Sequence, residues 1–170
     1  MLRTSLPWLI AALVVLADRV TKVAVLRNLA PGSWVDVVPG FALTHVHNPG
    51  IAFSLFSDGG PLSRLVLHMV IVVAIVVIVW MVVRHGHHHP AAGLAFGLIL
   101  GGALGNLIDR VLWGWVLDFI HLWVRVGDRV WSWPDFNIAD SAITVGAGVL
   151  IVSEIVSGRK DGQRDASDPD

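Results

Sequence analysis

Long apolar runs, separated by polar excursions, dominate this chain. A hydrocarbon core about 30 Å thick takes about 20 residues of helix to cross. Four stretches meet that length, at 6–26, 65–83, 91–111 and 138–157. The first is interrupted by Asp18, Arg19 and Lys22, and the second only by His68. The fourth carries Asp140 near its start and Glu154 near its end. Val15-Leu16-Ala17 loosely suits a leader cleavage site, but the apolar sequence continues past Lys22 to spanning length, which favours a retained helix. The pattern therefore predicts four transmembrane helices with both termini on one side. In the third, Gly93, Gly97, Gly101 and Gly105 recur every four residues and line one face, a seam for close helix packing.

Between the first two spans, Trp34-Val35-Asp36-Val37-Val38 and Phe41-Ala42-Leu43-Thr44-His45-Val46 are β-prone. Pro39-Gly40 and Asn48-Pro49-Gly50 punctuate them as turns. A small extramembrane sheet is expected over 34–56. The segment 112–136 holds Trp113, Trp115, Trp123, Trp131 and Trp133. Tryptophan favours the headgroup region, so this segment reads as interfacial. The turn Arg84-His85-Gly86-His87-His88-His89-Pro90 reads as a polar surface loop, because no carboxylate or Cys lies near His87–His89 to complete a metal site. Residues 1–157 form one membrane-embedded domain, and 158–170 read as a polar, disordered tail. The expected class is a membrane all-α fold with a small β element.

Composition strengthens the membrane reading. Of 170 residues, 55% are hydrophobic and 15% charged, against about 25% charged in soluble domains. The net charge of −1 offers no basic stripe for nucleic acid. Without cysteine, disulfides and thiolate chemistry are excluded. Arg and Lys are split between the two sides, with a lean toward cytoplasmic termini.

Ionisable residues within spans cost roughly 2.5–3.5 kcal/mol each on insertion scales, so each needs a reason. Asp18 and Lys22 are four apart and share a helix face, which permits an ion pair. A docking role and a substrate-positioning role are both open. Asn106, Asp109 and Arg110 share one face at the end of the third span, where Arg110 can hold a carboxylate or a carbonyl with forked donors. Asp118, among apolar neighbours, and Asp140, at the start of the fourth span, fall at the same membrane face. Two carboxylates in a low-dielectric site share a proton, and such a pair can activate water against a peptide carbonyl without metal or covalent nucleophile. Taken singly, Asp140 is also a carboxylate favoured by a helix N-terminus, and Asp118 also suits a solvated loop. Intramembrane charges also occur in transporters, and the glycine seam alone would suit a structural subunit.

Several motifs in order resemble the lipoprotein signal peptidase (signal peptidase II) family over nearly the whole chain. They are Asp18-Arg19-Val20-Thr21-Lys22, then Asn48-Pro49-Gly50-Ile51-Ala52-Phe53-Ser54, then Gly101-Gly102-Ala103-Leu104-Gly105-Asn106-Leu107-Ile108-Asp109-Arg110. The last of these runs on to Asp118-Phe119, and Phe136-Asn137-Ile138-Ala139-Asp140-Ser141 follows. Ile51 and Leu117 depart from the usual Ala and Val but keep the site apolar. The resemblance implies a bacterial inner-membrane aspartic endopeptidase that needs no cofactor or metal. It implies that Asp118 and Asp140 are the catalytic dyad. Asn48, Gly50, Phe53, Asn106, Arg110 and Asn137 would lie around the substrate, with Asp18, Lys22 and Asp109 supporting the site. The implied substrate is a prolipoprotein, cleaved before a diacylglyceryl-modified cysteine near the outer face. The implied partners are that precursor and membrane lipids, and the enzyme is expected to act as a monomer. Movement of the segment around 48–56 is expected to gate entry.

Overall fold

The structure, a computed structural model, describes residues 2–50, 60–85 and 90–165. Four helices, α1 (Leu2–Asn28), α2 (Pro61–His85), α3 (Pro90–Trp113) and α4 (Ile138–Asp165), are joined by a four-stranded antiparallel sheet. Its strands are β1 (Trp34–Val38), β2 (Phe41–Asn48), β3 (Val116–Val126) and β4 (Arg129–Ser132), in the order β1-β2-β3-β4. Helix α3 is central and packs against α1, α2 and α4.

Among the described residues, three helical stretches are long and apolar enough to cross a membrane: Leu65–Arg84, Pro90–Trp113 and Ile138–Val156. Leu65–Arg84 has a mean hydropathy of 3.1 and turns most of its surface outward, as suits a helix in lipid rather than in water. Helix α1 has spanning length, 27 residues. Its Leu9, Leu13, Leu16 and Val20 are exposed, while Asp18 and Lys22 are wholly buried. This inversion, with charge inside and leucine outside, is what a membrane helix with a polar site on its inner face requires.

The glycine seam closes the bundle. A methyl on Gly97 would lie 2.6 Å from the Pro7 carbonyl oxygen, and one on Gly101 would lie 2.8 Å from that of Ala11. A methyl on Gly105 would lie 2.9 Å from Asp18 Oδ2. These three positions form the α1–α3 contact. Gly102, outside the four-residue repeat, faces α4, where a methyl would collide with the Ala139 carbonyl oxygen.

Two expectations are corrected. The sheet is not confined to 34–56, because half of it comes from the Trp-rich segment. Val116–Val126 is rich in β-branched and aromatic residues, and Gly127-Asp128 is a two-residue hairpin signal. The tryptophans drew attention away from both. The segment keeps its apolar surface: Val124, Val126, Val130, Trp131 and Trp133 are exposed. Helix α4 also runs on to Asp165, through part of the expected disordered tail. Arg159, Lys160, Gln163 and Arg164 are good helix formers, and propagation from an existing helix needs no new nucleus. Residues 166–170 lie outside the described residues, as do His87–His89.

The site lies where the sheet meets the ends of α3 and α4. Gly114, at φ +78°, donates its N–H to the Arg110 carbonyl (3.0 Å) and ends α3 in a left-handed cap, a conformation open to glycine. The chain turns there directly into β3. That strand pairs with β2, matching Val46 with Asp118 and Asn48 with Val116.

Candidate active site

Asn137 caps α4. Its side-chain Oδ1 accepts from the Asp140 backbone N–H at 2.9 Å, and Asp140 Oδ2 accepts from the Asn137 backbone N–H at 3.3 Å. This reciprocal pairing is a capping box. Asp140 is therefore the dipole-favoured helix carboxylate that its position suggests, and it is more than that. Its other oxygen, Oδ1, accepts from Asn106 Nδ2 of α3 at 2.7 Å.

Asp118 on β3 is buried and held from both sides. Asn48 Nδ2 on β2 donates to Oδ2 at 2.9 Å, and Asn137 Nδ2 donates to Oδ1 at 2.7 Å. Asn137 thus touches both acids and bridges them, and it is 0% exposed. Its amide nitrogen also reaches the Leu117 carbonyl at 3.2 Å and Asn106 Oδ1 at 3.3 Å. The Asp118 carboxyl is pushed up to about 7, first by burial and then by the Asp140 charge, against the opposing hydrogen bonds of Asn48 and Asn137 and the charge of Lys22. Near neutral pH this acid accordingly sits between its two protonation states.

Beneath the pair is a charged network. Lys22 Nζ lies 2.8 Å from Asp18 Oδ2 and 2.7 Å from Asp109 Oδ2, and all three side chains are 0% exposed. Lys22 also donates to Asn106 Oδ1 at 3.2 Å, orienting that amide so its nitrogen faces Asp140. Asp18 Oδ1 accepts the Ala139 backbone N–H at 3.1 Å, tying α1 to the start of α4. Asp109 Oδ2 accepts the Leu117 N–H at 3.3 Å, tying α3 to the strand that carries Asp118. Each carboxylate thus neutralises part of the ammonium charge and fixes a backbone segment next to an acid.

Arg110 donates through Nη2 to the Gly50 carbonyl at 2.6 Å and through Nη1 to the Asn106 carbonyl at 3.3 Å. Gly50 in turn donates its N–H to Asn48 Oδ1 at 3.0 Å. Arg110 therefore holds the Asn48–Gly50 turn, the carbonyl-binding option its fork allows. Its Nε is buried with no acceptor among the described residues.

The structure thus brings together Asp18, Lys22, Asn48, Gly50, Asn106, Asp109, Arg110, Asp118, Asn137 and Asp140. Phe53 and the part of the expected gating segment beyond Gly50 lie outside the described residues. Arg19 and an aromatic stack escaped the sequence reading. Arg19 pairs with Asp109 and lies over Trp113, 5.0 Å from its ring centroid. Trp113 stacks on Trp115 (5.2 Å) and Trp115 on His47 (3.5 Å). Arg19 adjoins the Asp18/Lys22 pair in sequence, but its partner lies 90 residues away, beyond the reach of helical spacing. Among the described residues, no group of three or more His, Cys, Asp or Glu is arranged to hold a metal.

Known proteins resemble this chain over most of its length. A family model described as signal peptidase (SPase) II matches residues 10–156. A lipoprotein signal peptidase of Burkholderia thailandensis is 44% identical over 150 residues, covering 88% of this chain and 87% of that protein. One of Paraburkholderia phymatum is 43% identical over the same shares. Among solved structures, a bacterial membrane enzyme determined by the in meso method at 2.3 Å resolution superposes with a TM-score of 0.78 at 29% identity, covering 96% of this chain and 93% of that one. A second, at 1.9 Å, gives 0.74 at 32% identity, covering 86% and 90%. Matched in sequence and in fold across most of its length, this chain belongs to the signal peptidase II family of membrane peptidases.

Proposed function

We propose that this chain is an intramembrane aspartic endopeptidase that removes the signal peptide from bacterial prolipoproteins, cleaving before the diacylglyceryl-modified cysteine. The observation that carries the reading is the bridging of Asp118 and Asp140 by one buried residue, Asn137. One acid, ionised, takes a proton from water as the hydroxide adds to the scissile carbonyl. The other, protonated, donates to the carbonyl oxygen. Collapse of the tetrahedral adduct breaks the C–N bond: the leaving nitrogen takes a proton from one acid, a hydroxyl of the adduct gives its proton to the other as the product carboxyl forms, and the pair returns to its singly protonated state. Burial together with like charge supports that state at neutral pH, and no cofactor is needed.

Asn48, Gly50 and Arg110 line the approach from the sheet. The Arg110 Nε–H, without an acceptor among the described residues, supplies a donor for a substrate carbonyl. A diacylglyceryl cysteine is anchored by two acyl chains, so its peptide bond lies near the interface. The sheet end of the bundle, with exposed Trp131 and Trp133, suits that level. We place this end at the outer face of the inner membrane, with both termini in the cytoplasm and the chain acting as a monomer. The buried charges gather around one site instead of along a path across the bundle, which favours hydrolysis over transport.

The test is cleavage of a lipobox peptide, with and without its diacylglyceryl group, by detergent-purified protein. Wild type should cleave only the lipidated peptide. Asp118→Asn and Asp140→Asn should each lose at least roughly 10²-fold in rate. Equal cleavage by wild type and both variants would remove the dyad.

A further inference from the structure

The segment between β4 and α4 decides where Asn137 stands, yet it belongs to no helix or ladder of its own. Trp133 donates its N–H to the Leu122 carbonyl (2.8 Å), and Phe136 exchanges backbone bonds with Ile120 (2.8 and 3.1 Å). Pro134, between them, has no N–H to give. Asp135 fills the gap with its side chain: Oδ1 lies 2.5 Å from His121 Nδ1, and both side chains are largely buried. His121 sits on β3 opposite Ala42, with the Trp34 ring of β1 packed on it at 4.3 Å. A mostly buried, hydrogen-bonded pair thus clamps the segment to the middle of the sheet two residues before Asn137. Asp118 stands three residues before His121 on the same strand.

We propose that His121 and Asp135 are positioning residues for the dyad: their pair fixes the return segment against β3 and so sets the position from which Asn137 holds Asp118 and Asp140. The inference rests on the peptidase reading of those two acids. Without the pair, the segment is left with the backbone bonds on either side of Pro134, and Asn137 gains freedom to drift from Asp118. Displacements of about 1 Å at a reacting centre cost on the order of 10²-fold in rate. There is a second consequence. The Asn137 amide favours the ionised form of Asp118, so loosening it raises the pH at which the dyad gives up its last proton. The other groups facing Asp118 are Asp140 from α4, Arg110 from α3, Lys22 from α1 and Asn48 from β2, and the substitutions leave them in place.

The experiment measures kcat, KM and the pH profile of kcat/KM on the diacylglyceryl lipobox peptide for wild type, His121→Ala, Asp135→Ala and the double variant, with Asp118→Asn alongside. Each single variant should lose roughly 10- to 100-fold in kcat with KM little changed, and the double variant should lose no more than either single one. The alkaline limb of the profile should move to higher pH. His121→Asn, whose amide nitrogen stands near the position of Nδ1, should restore most of the rate and the wild-type limb. Folded His121→Ala and Asp135→Ala enzymes with the wild-type kcat and profile, beside an inactive Asp118→Asn, would overturn this inference and leave the dyad intact. An active Asp118→Asn would overturn the dyad and this inference with it. Where His121→Ala does not fold, Asp135→Ala removes the same pair from the other side and decides the question.

Discussion

At the scale of single residues, the site shows how an acid is kept poised. Asp118 holds its proton more tightly in the folded chain than its ordinary value of 3.8 allows, up to about 7. A group raised in this way contributes its full stability below pH 3.8 and loses it as pH climbs through 7. Wild type should therefore become less stable than Asp118→Asn above pH 7, with the gap closing toward pH 4. The ceiling for a shift of this size is about 4 kcal/mol. Thermal melts in detergent from pH 4 to 8 check this, and equal melting temperatures at pH 8 would show that the carboxyl is not raised. Spacing alone exposed the Asp18–Lys22 pair, because i and i+4 share a helix face. It could not expose Lys22 reaching Asp109 or Arg19 pairing with the same acid, because both contacts cross from α1 to α3. Replacing Lys22 by Met leaves Asp18 as a buried, uncompensated carboxylate and Asp109 with Arg19 alone, a loss of roughly 3–5 kcal/mol. A melting temperature unchanged by Lys22→Met would mean that the network is not holding the helices.

At the scale of elements, backbone approach governs. Gly102→Ala drives a methyl into the Ala139 carbonyl, at the turn of α4 that carries Asp140. Overpacking of this kind costs typically 1–3 kcal/mol, and here it also displaces an acid, so activity should fall more than stability. Gly148, on the same pair of helices, has nothing within 4 Å of an added methyl. Gly148→Ala should be neutral or stabilise α4 by up to about 1 kcal/mol. Melting and turnover measured on both variants separate the two cases, and similar losses in both would contradict the packing. The four-residue glycine repeat was legible as a seam from sequence. That Gly102 faces α4 while Gly97, Gly101 and Gly105 face α1 was not, because a helix period gives faces but not partners. The Trp-rich strands were missed for a related reason: β3 finds its hydrogen-bond partner in β2, about 70 residues earlier in the chain.

At the scale of the whole molecule, the chain is a bundle with its charges inside, its leucines and valines outside, and a sheet at one end. The absence of cysteine makes single-cysteine labelling clean. With the sheet on the outer face, Arg129→Cys should react with an impermeant maleimide in intact cells. Arg84→Cys, at the opposite end of α2, should react only after permeabilisation. The reverse pattern would invert the proposed orientation. Leu16→Cys, on the outward apolar face of α1, should stay unlabelled in lipid nanodiscs and become reactive in denaturant.

The sequence by itself determined that this chain enters a membrane, which runs can span it, and which polar residues are too costly there to be incidental. Those conclusions follow from transfer free energies and helix periodicity, both local properties of the chain. Only the tertiary structure decided that Asn137 bridges two acids, that Lys22 answers two carboxylates, and that His121 meets Asp135 on the segment leading to Asn137. Each of these is a meeting between elements distant along the chain, and its free energy exists only once α1, α3, α4 and the sheet have closed around one another.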